Sequence, residues 1–190
     1  CHFATFRQAM EATQHIVKLG PVAVEVVDRT LIELARDIAM FRPVMEAYVR
    51  GKPDALLFVE FAEAEQGENL RRLDRLDELM GDLGHPQSVV KVSDAAGQKA
   101  IWEVRASGLN IMMSMKSEGK PVSFIEDCAV PLENLADYTE RLTEVFTRHG
   151  TKGTWYAHAS VGCLHVRPVL NLKLEKDART MRAIAEEAFA

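Results

Sequence analysis

Apolar residues recur along this chain with two periods, and the alternation between them outlines the fold. Phe6, Ala9, Met10, Ile16 and Val17 repeat at helical spacing, with Thr13 on the same face. Thr5 precedes them as an N-cap and Gly20 follows as a stop, so the spacing predicts a helix between them. "PVAVEVVD" then reads as a buried strand whose last residue, Asp28, caps a short helix around Leu31 to Ile38. The stretch from Phe41 to Lys52 is ambiguous, a helix followed by a Gly-Lys-Pro turn being one reading. "DALLFVEFAEA" is a strand, and Leu70, Leu73, Leu76, Leu79 and Met80 mark an amphipathic helix. "QSVVKV" reads as another strand, and Asp94 caps a helix carrying Ala96, Ala100, Ile101 and Val104.

The second half repeats the theme. "GLNIMMSMKSEGKP" breaks periodicity and predicts a mobile loop, and "VSFIEDCAV" alternates as a strand. A helix follows Pro131 through Leu135, Tyr138, Leu142, Val145 and Phe146, and Gly150 ends it. "TWYAHA" and "CLHVRP" are two short strands in tight connection, and a last helix runs from about Glu175. The order is βαββαβ twice, with the second copy truncated. This predicts an α+β fold: an antiparallel sheet flanked by helices, in two ferredoxin-like units. Residues 1–93 form the first unit, 94–120 a connecting helix and loop, and 121–190 the second. No linker rich in Pro, Gly or Ser divides them, so 1–190 is expected to be one domain.

Composition narrows the class. The 190 residues carry a net charge of −5, which argues against a nucleic-acid surface. No apolar run is long enough to span a bilayer, and the three cysteines are far apart without CxxC spacing. The expectation is a reducing, cytoplasmic setting with free thiols. The chain opens on Cys1 and stops inside a helical pattern, so both ends read as cuts in a longer polypeptide. A missing last strand would leave an open sheet edge, which invites homodimers.

"HASVGCLH" holds the most suggestive chemistry. Alternation puts Tyr156 and His158 on one face of the first strand, and Cys163, His165 and Arg167 on one face of the return strand. With the turn centred between Val161 and Gly162, His158 lies directly opposite His165, with Cβ atoms about 4.5–5.5 Å apart. Two imidazoles at that separation can converge on one ion. The plainer alternative is two half-exposed polar residues on a hairpin. Arg167 follows on the same face and has the fork geometry to bind a carboxylate. Glu126 and Asp127 are adjacent strand residues, so alternation aims them at opposite faces.

"IWEVRASGL", "SFIEDCAVPLENL" and "GTWYAHASVGCLHVRPVLNLK", in that order, resemble the C-terminal substrate domain of FAD-linked oxidases, the group of D-lactate, glycolate and D-2-hydroxyglutarate dehydrogenases. The likeness is strongest from Trp102 to Pro168. It implies a flavin domain upstream of Cys1, and a divalent metal such as zinc or manganese on His158 and His165. It also implies a Glu-His pair beyond Ala190 that supplies the third ligand and a base. Arg105, the arginine of W-x-x-R, is implied to bind the substrate carboxylate; on its own it reads as a cation near a helix C-terminus. Many members read H-x-G-D-G-N-x-H, where this chain has Ser160, Val161 and Cys163. That variant is similar to the branch often fused to an iron–sulfur domain, with an electron acceptor beyond it and a parent that can be peripheral to a membrane.

The leading expectation is the substrate-binding domain of a flavin-dependent 2-hydroxy-acid dehydrogenase, inactive as an isolated fragment. A non-catalytic ferredoxin-like module that binds a small acid or a regulatory partner is the alternative. A metal hydrolase built on His158 and His165 is weaker, because no HExxH or nucleophile triad accompanies them.

Overall fold

A computed structural model describes residues 1–189. After the short strand β1 (His2–Phe3), helix α1 (Phe6–Ile16) starts at Thr5. Gln8 N–H donates to the Thr5 hydroxyl and Thr5 N–H donates to the Gln8 side chain, closing a capping box. Thr13 sits on the buried face of α1 and donates its hydroxyl to the Ala9 carbonyl at 2.9 Å, so its burial leaves nothing unpaired. Strand β2 (Ala23–Asp28) leads into α2 (Arg29–Asp37), and α3 (Arg42–Tyr48) occupies the stretch that the sequence left ambiguous. Strand β3 (Ala55–Glu60) and helix α4 (Gln66–Asp82) follow.

The connecting region contains α5 (Ala95–Ala106) and α6 (Gly108–Met113). The expected mobile loop therefore begins as a helix. Ile111 and Met112 are buried against α2, and Gly108 packs so closely that an added Cβ would meet Leu31 at 3.1 Å. Packing holds a short helix that periodicity is too brief to reveal. Strands β4 (Lys120–Pro121) and β5 (Ile125–Ala129), helix α7 (Leu135–Arg148), strands β6 (Gly153–His158) and β7 (Cys163–Leu170) and helix α8 (Glu175–Ala188) complete the described residues.

All strand pairings are antiparallel, in the order β1–β3–β2–β6–β7, with β5 and β4 both on the far edge of β7. In β1–β3–β2 and again in β5–β7–β6, the third strand lies between the first and the second. This is the ferredoxin-like arrangement met twice, joined edge to edge where β2 meets β6. The predicted strand "QSVVKV", residues 87–92, is not a regular strand. His2 N–H donates to the Ser88 carbonyl at 3.0 Å, so the segment lies beside β1, but β1 is two residues long and offers too short an edge for a ladder.

The two sheet faces differ. One packs against α1, α4, α7 and α8 through Met10, Ile16, Leu57, Met80, Phe146, Trp155 and Val166. The other is covered over β2 and β3 by α2, α3, α5 and α6, through Val27, Leu31, Ile32, Met45, Val104 and Met112. That second cover ends near Tyr156. Along β7, Leu164, Val166 and Leu170 are buried on the first face, whereas Cys163, His165 and Arg167 are half-exposed on the second. A polar patch of sheet is thus left beside a helical wall.

Candidate functional site

His158, His165 and Arg167 all project from this second face, and Arg105 reaches it from the last turn of α5. The histidine register differs from the expectation. His158 pairs with Cys163, and His165 pairs with Tyr156. Ala159–Val161 form a single 3-10 turn and Gly162 follows at φ +69°, so the connection takes up two residues more than a tight hairpin. A shift of two preserves the facing of every side chain. The histidines are therefore diagonal neighbours, with ring centroids 5.2 Å apart and planes at 85°. Gly162 is required at this corner: a Cβ there would meet the Val130 carbonyl oxygen at 1.9 Å.

Each histidine is held by a carboxylate that is itself paired with an arginine. Glu25 on β2 faces His158 across the strand pairing, and His158 Nδ1 lies 2.9 and 3.0 Å from its two oxygens. Arg105 Nη2 donates to Glu25 Oε2 at 2.5 Å. The second set runs through Glu126 on β5. His165 Nδ1 lies 3.1 Å from Glu126 Oε2, and Arg167 Nη2 lies 2.7 Å from Glu126 Oε1. An ionised carboxylate only accepts, so Nδ1 of each histidine carries the proton and Nε2 keeps its lone pair. Tyr156 lies between the two sets: the Arg105 guanidinium sits 5.2 Å from its ring centroid, and Arg167 donates to its hydroxyl at 3.3 Å.

Asp127 joins them against strand alternation. A register shift between Ile125 and Cys128 and a φ of +54° at Asp127 mark a bulge in β5. Both Glu126 and Asp127 thereby reach His165, Asp127 Oδ1 at 3.0 Å from Nδ1. Asp127, Cys163 and His165 offer ligand atoms within 4.8 Å of one another. Burial first, and then the charge of Asp127, pushes the Cys163 thiol up.

The arrangement can hold both a cation and an acid. With neutral imidazoles, Glu25, Glu126 and Asp127 outweigh Arg105 and Arg167 by one negative charge, which favours a cation. The Nε atoms of Arg105 and Arg167 are buried without a hydrogen-bond partner among the described residues. The sequence points to the histidines and arginines, places Tyr156 on their face and offers Glu126 beside Asp127 without joining either to them, and does not mark Glu25 as a site residue. Glu25 carried a signal: an acid in the middle of the apolar run Val22–Asp28 has to be paired when buried.

No helix of the structure, among the described residues, is long and apolar enough to cross a membrane. Residues 1–190 match the family described as FAD linked oxidases, C-terminal domain. The chain is 30% identical over 201 residues to D-2-hydroxyglutarate dehydrogenase of Pantoea ananatis, covering 99% of this chain and 19% of that protein. It is 30% identical over 199 residues to D-2-hydroxyglutarate dehydrogenase of Escherichia coli, with the same shares. The protein of that name in Haemophilus influenzae is 28% identical over 197 residues, covering 97% of this chain and 19% of the relative. The chain thus spans about a fifth of the length of the curated relatives it matches. Among solved structures, 4-ethylphenol oxidase from Gulosibacter chungangensis in its isoeugenol complex shares the fold, with a TM-score of 0.56 and 12% identity, over 98% of this chain and 42% of that one.

Proposed function

The chain belongs to the FAD linked oxidases, C-terminal domain family, and from that premise we propose that it is the substrate-binding part of a flavin-dependent dehydrogenase acting on a 2-hydroxy acid, with D-2-hydroxyglutarate as the preferred acid. The observation that carries the reading is the pair of Arg–Glu–His sets, Arg105–Glu25–His158 and Arg167–Glu126–His165, on one sheet face around Tyr156. The acid named for the curated relatives has two carboxylates, and the face presents two guanidiniums.

The donor chemistry fits a divalent metal. Glu25 and Glu126 fix the tautomer and the aim of His158 and His165, leaving Nε2 of each as a metal ligand. An ion held there would supply Lewis acidity to lower the pKa of the substrate hydroxyl. A divalent ion would also cancel the net negative charge of the face, which suits an anionic substrate. Arg105 and Arg167 then orient the carboxylates, using donors that their glutamates leave free. Tyr156 spaces the two guanidiniums through its ring and hydroxyl.

The face does not fit the flavin itself. Its backbone N–H groups are engaged in the strand ladder, so they cannot cradle a pyrophosphate. In this proposal the flavin, which supplies the hydride acceptor, is held by protein outside residues 1–190. The test is turnover of D-2-hydroxyglutarate, D-lactate and glycolate by the full-length protein. We expect D-2-hydroxyglutarate to be preferred. His158→Ala and His165→Ala should each lower kcat/KM at least a hundredfold and release the metal. Full activity and full metal content in both variants would overturn the proposal.

A further inference from the structure

We propose that Cys163 is a ligand of the same ion, which makes the centre a mixed nitrogen–sulfur site and selects zinc over manganese. The inference rests on the metal reading above and deepens it. Cys163 is the direct cross-strand partner of His158 and stands two residues before His165 on the same face. It therefore neighbours both imidazoles, as Tyr156 does from the opposite diagonal. Its sulfur, a nitrogen of His165 and an oxygen of Asp127 lie within 4.8 Å of one another, a set that does not include His158, and the Asp127 contact is to Nδ1 of His165. A point equidistant from three atoms at that upper limit is about 2.8 Å from each. Zinc bonds to nitrogen, oxygen and sulfur are roughly 2.0–2.3 Å, so an ion on Nε2 of His165 draws Cys163 in and requires Asp127 to release Nδ1 before it can join.

The surroundings suit this chemistry. Asp127 is carried on the bulge of β5, opposite the start of β7, where Ala129 pairs with Cys163. Its side chain is 75% exposed and contacts Nδ1 of His165 at 3.0 Å. No disulfide competes for the sulfur, since Cys163 is a free thiol. Binding replaces the thiol proton by the metal, and that proton leaves to solvent. Imidazole and thiolate together favour zinc, whereas a site of imidazoles and carboxylates alone would also suit manganese.

X-ray absorption at the zinc edge of the full-length protein, loaded with zinc alone, reads the sulfur directly and is blind to any iron–sulfur cluster. We expect a zinc–sulfur shell at about 2.3 Å, absent in Cys163→Ser. Zinc affinity in competition with a chelator should fall at least tenfold in that variant. A shell of nitrogen and oxygen only, in a protein whose zinc is lost with His158→Ala or His165→Ala, overturns this inference and leaves the earlier reading intact. Zinc content unchanged in both histidine variants sinks the earlier reading and, with it, a shared nitrogen–sulfur centre. A protein that takes up no zinc at all overturns both.

Discussion

Glu25 and Arg105 form an ion pair at 2.5 Å with side chains only 10% and 11% exposed, joining the second strand of the sheet to the last turn of α5. Glu25→Ala would leave a guanidinium nearly sealed from water without a counterion, and breaking such a pair costs about 3–5 kcal/mol. Glu25→Gln should cost less, because its amide oxygen still accepts from Arg105. Chemical denaturation should therefore rank wild type above Gln and Gln above Ala. An alanine variant as stable as wild type would falsify the claim that this pair is structurally sealed.

The corner before β7 should tolerate no side chain. Gly162 is in the left-handed region at φ +69°, and a Cβ would lie 1.9 Å from the Val130 carbonyl oxygen. Left-handed backbone costs an L-residue roughly 1–2 kcal/mol, and forced overpacking typically adds 1–3 kcal/mol. Gly162→Ala should lower the melting temperature by several degrees and weaken metal retention together, because the corner sets His158 against His165. A melting curve coincident with wild type would contradict this.

Asp28 predicts a pH dependence of stability. One oxygen accepts from Leu31 N–H at 2.9 Å to cap α2, and the other accepts from Trp155 N–H at 2.9 Å on β6. Burial nevertheless raises its pKa from 3.8 to about 6. A raised carboxyl pKa means that the folded state holds the proton more tightly than the unfolded chain does. Its contribution to stability is complete below pH 3.8 and is lost as the pH rises through about 6. The change is on the order of 3 kcal/mol. Asp28→Asn should start lower, since its amide N–H₂ would confront the Trp155 donor, and should lack that decline. Urea denaturation across pH 4–8 checks both features, and parallel curves for the two proteins would count against the assignment.

The fold was largely legible because its main elements are long and periodic. Thr5 and Gln8 announce α1, and the leucines from Leu70 to Leu79 announce α4. Segments that depend on neighbours were less legible. Helix α6 exists because Ile111 and Met112 fill space beneath α2, and the segment at 87–92 lacks a ladder because β1 is short. At the site, strand alternation put His158, His165 and Arg167 on one face, and the structure has them there. The partners were out of reach. Glu25 lies 133 residues from His158 and 80 from Arg105 in sequence, and no local pattern encodes such pairings. Asp127 reaches His165 only through a bulge that breaks the alternation on which the reading relied.

The junction of β2 with β6 is three residue pairs long, and Glu25 with His158 is one of them. A slip of one residue along that seam would turn Glu25 toward the hydrocarbon side and disconnect it from both Arg105 and His158. Neither half of the molecule, expressed without the other, owns a complete grip on a ligand. Complementation between separately made halves would accordingly report alignment at the seam more sensitively than it reports the folding of either piece.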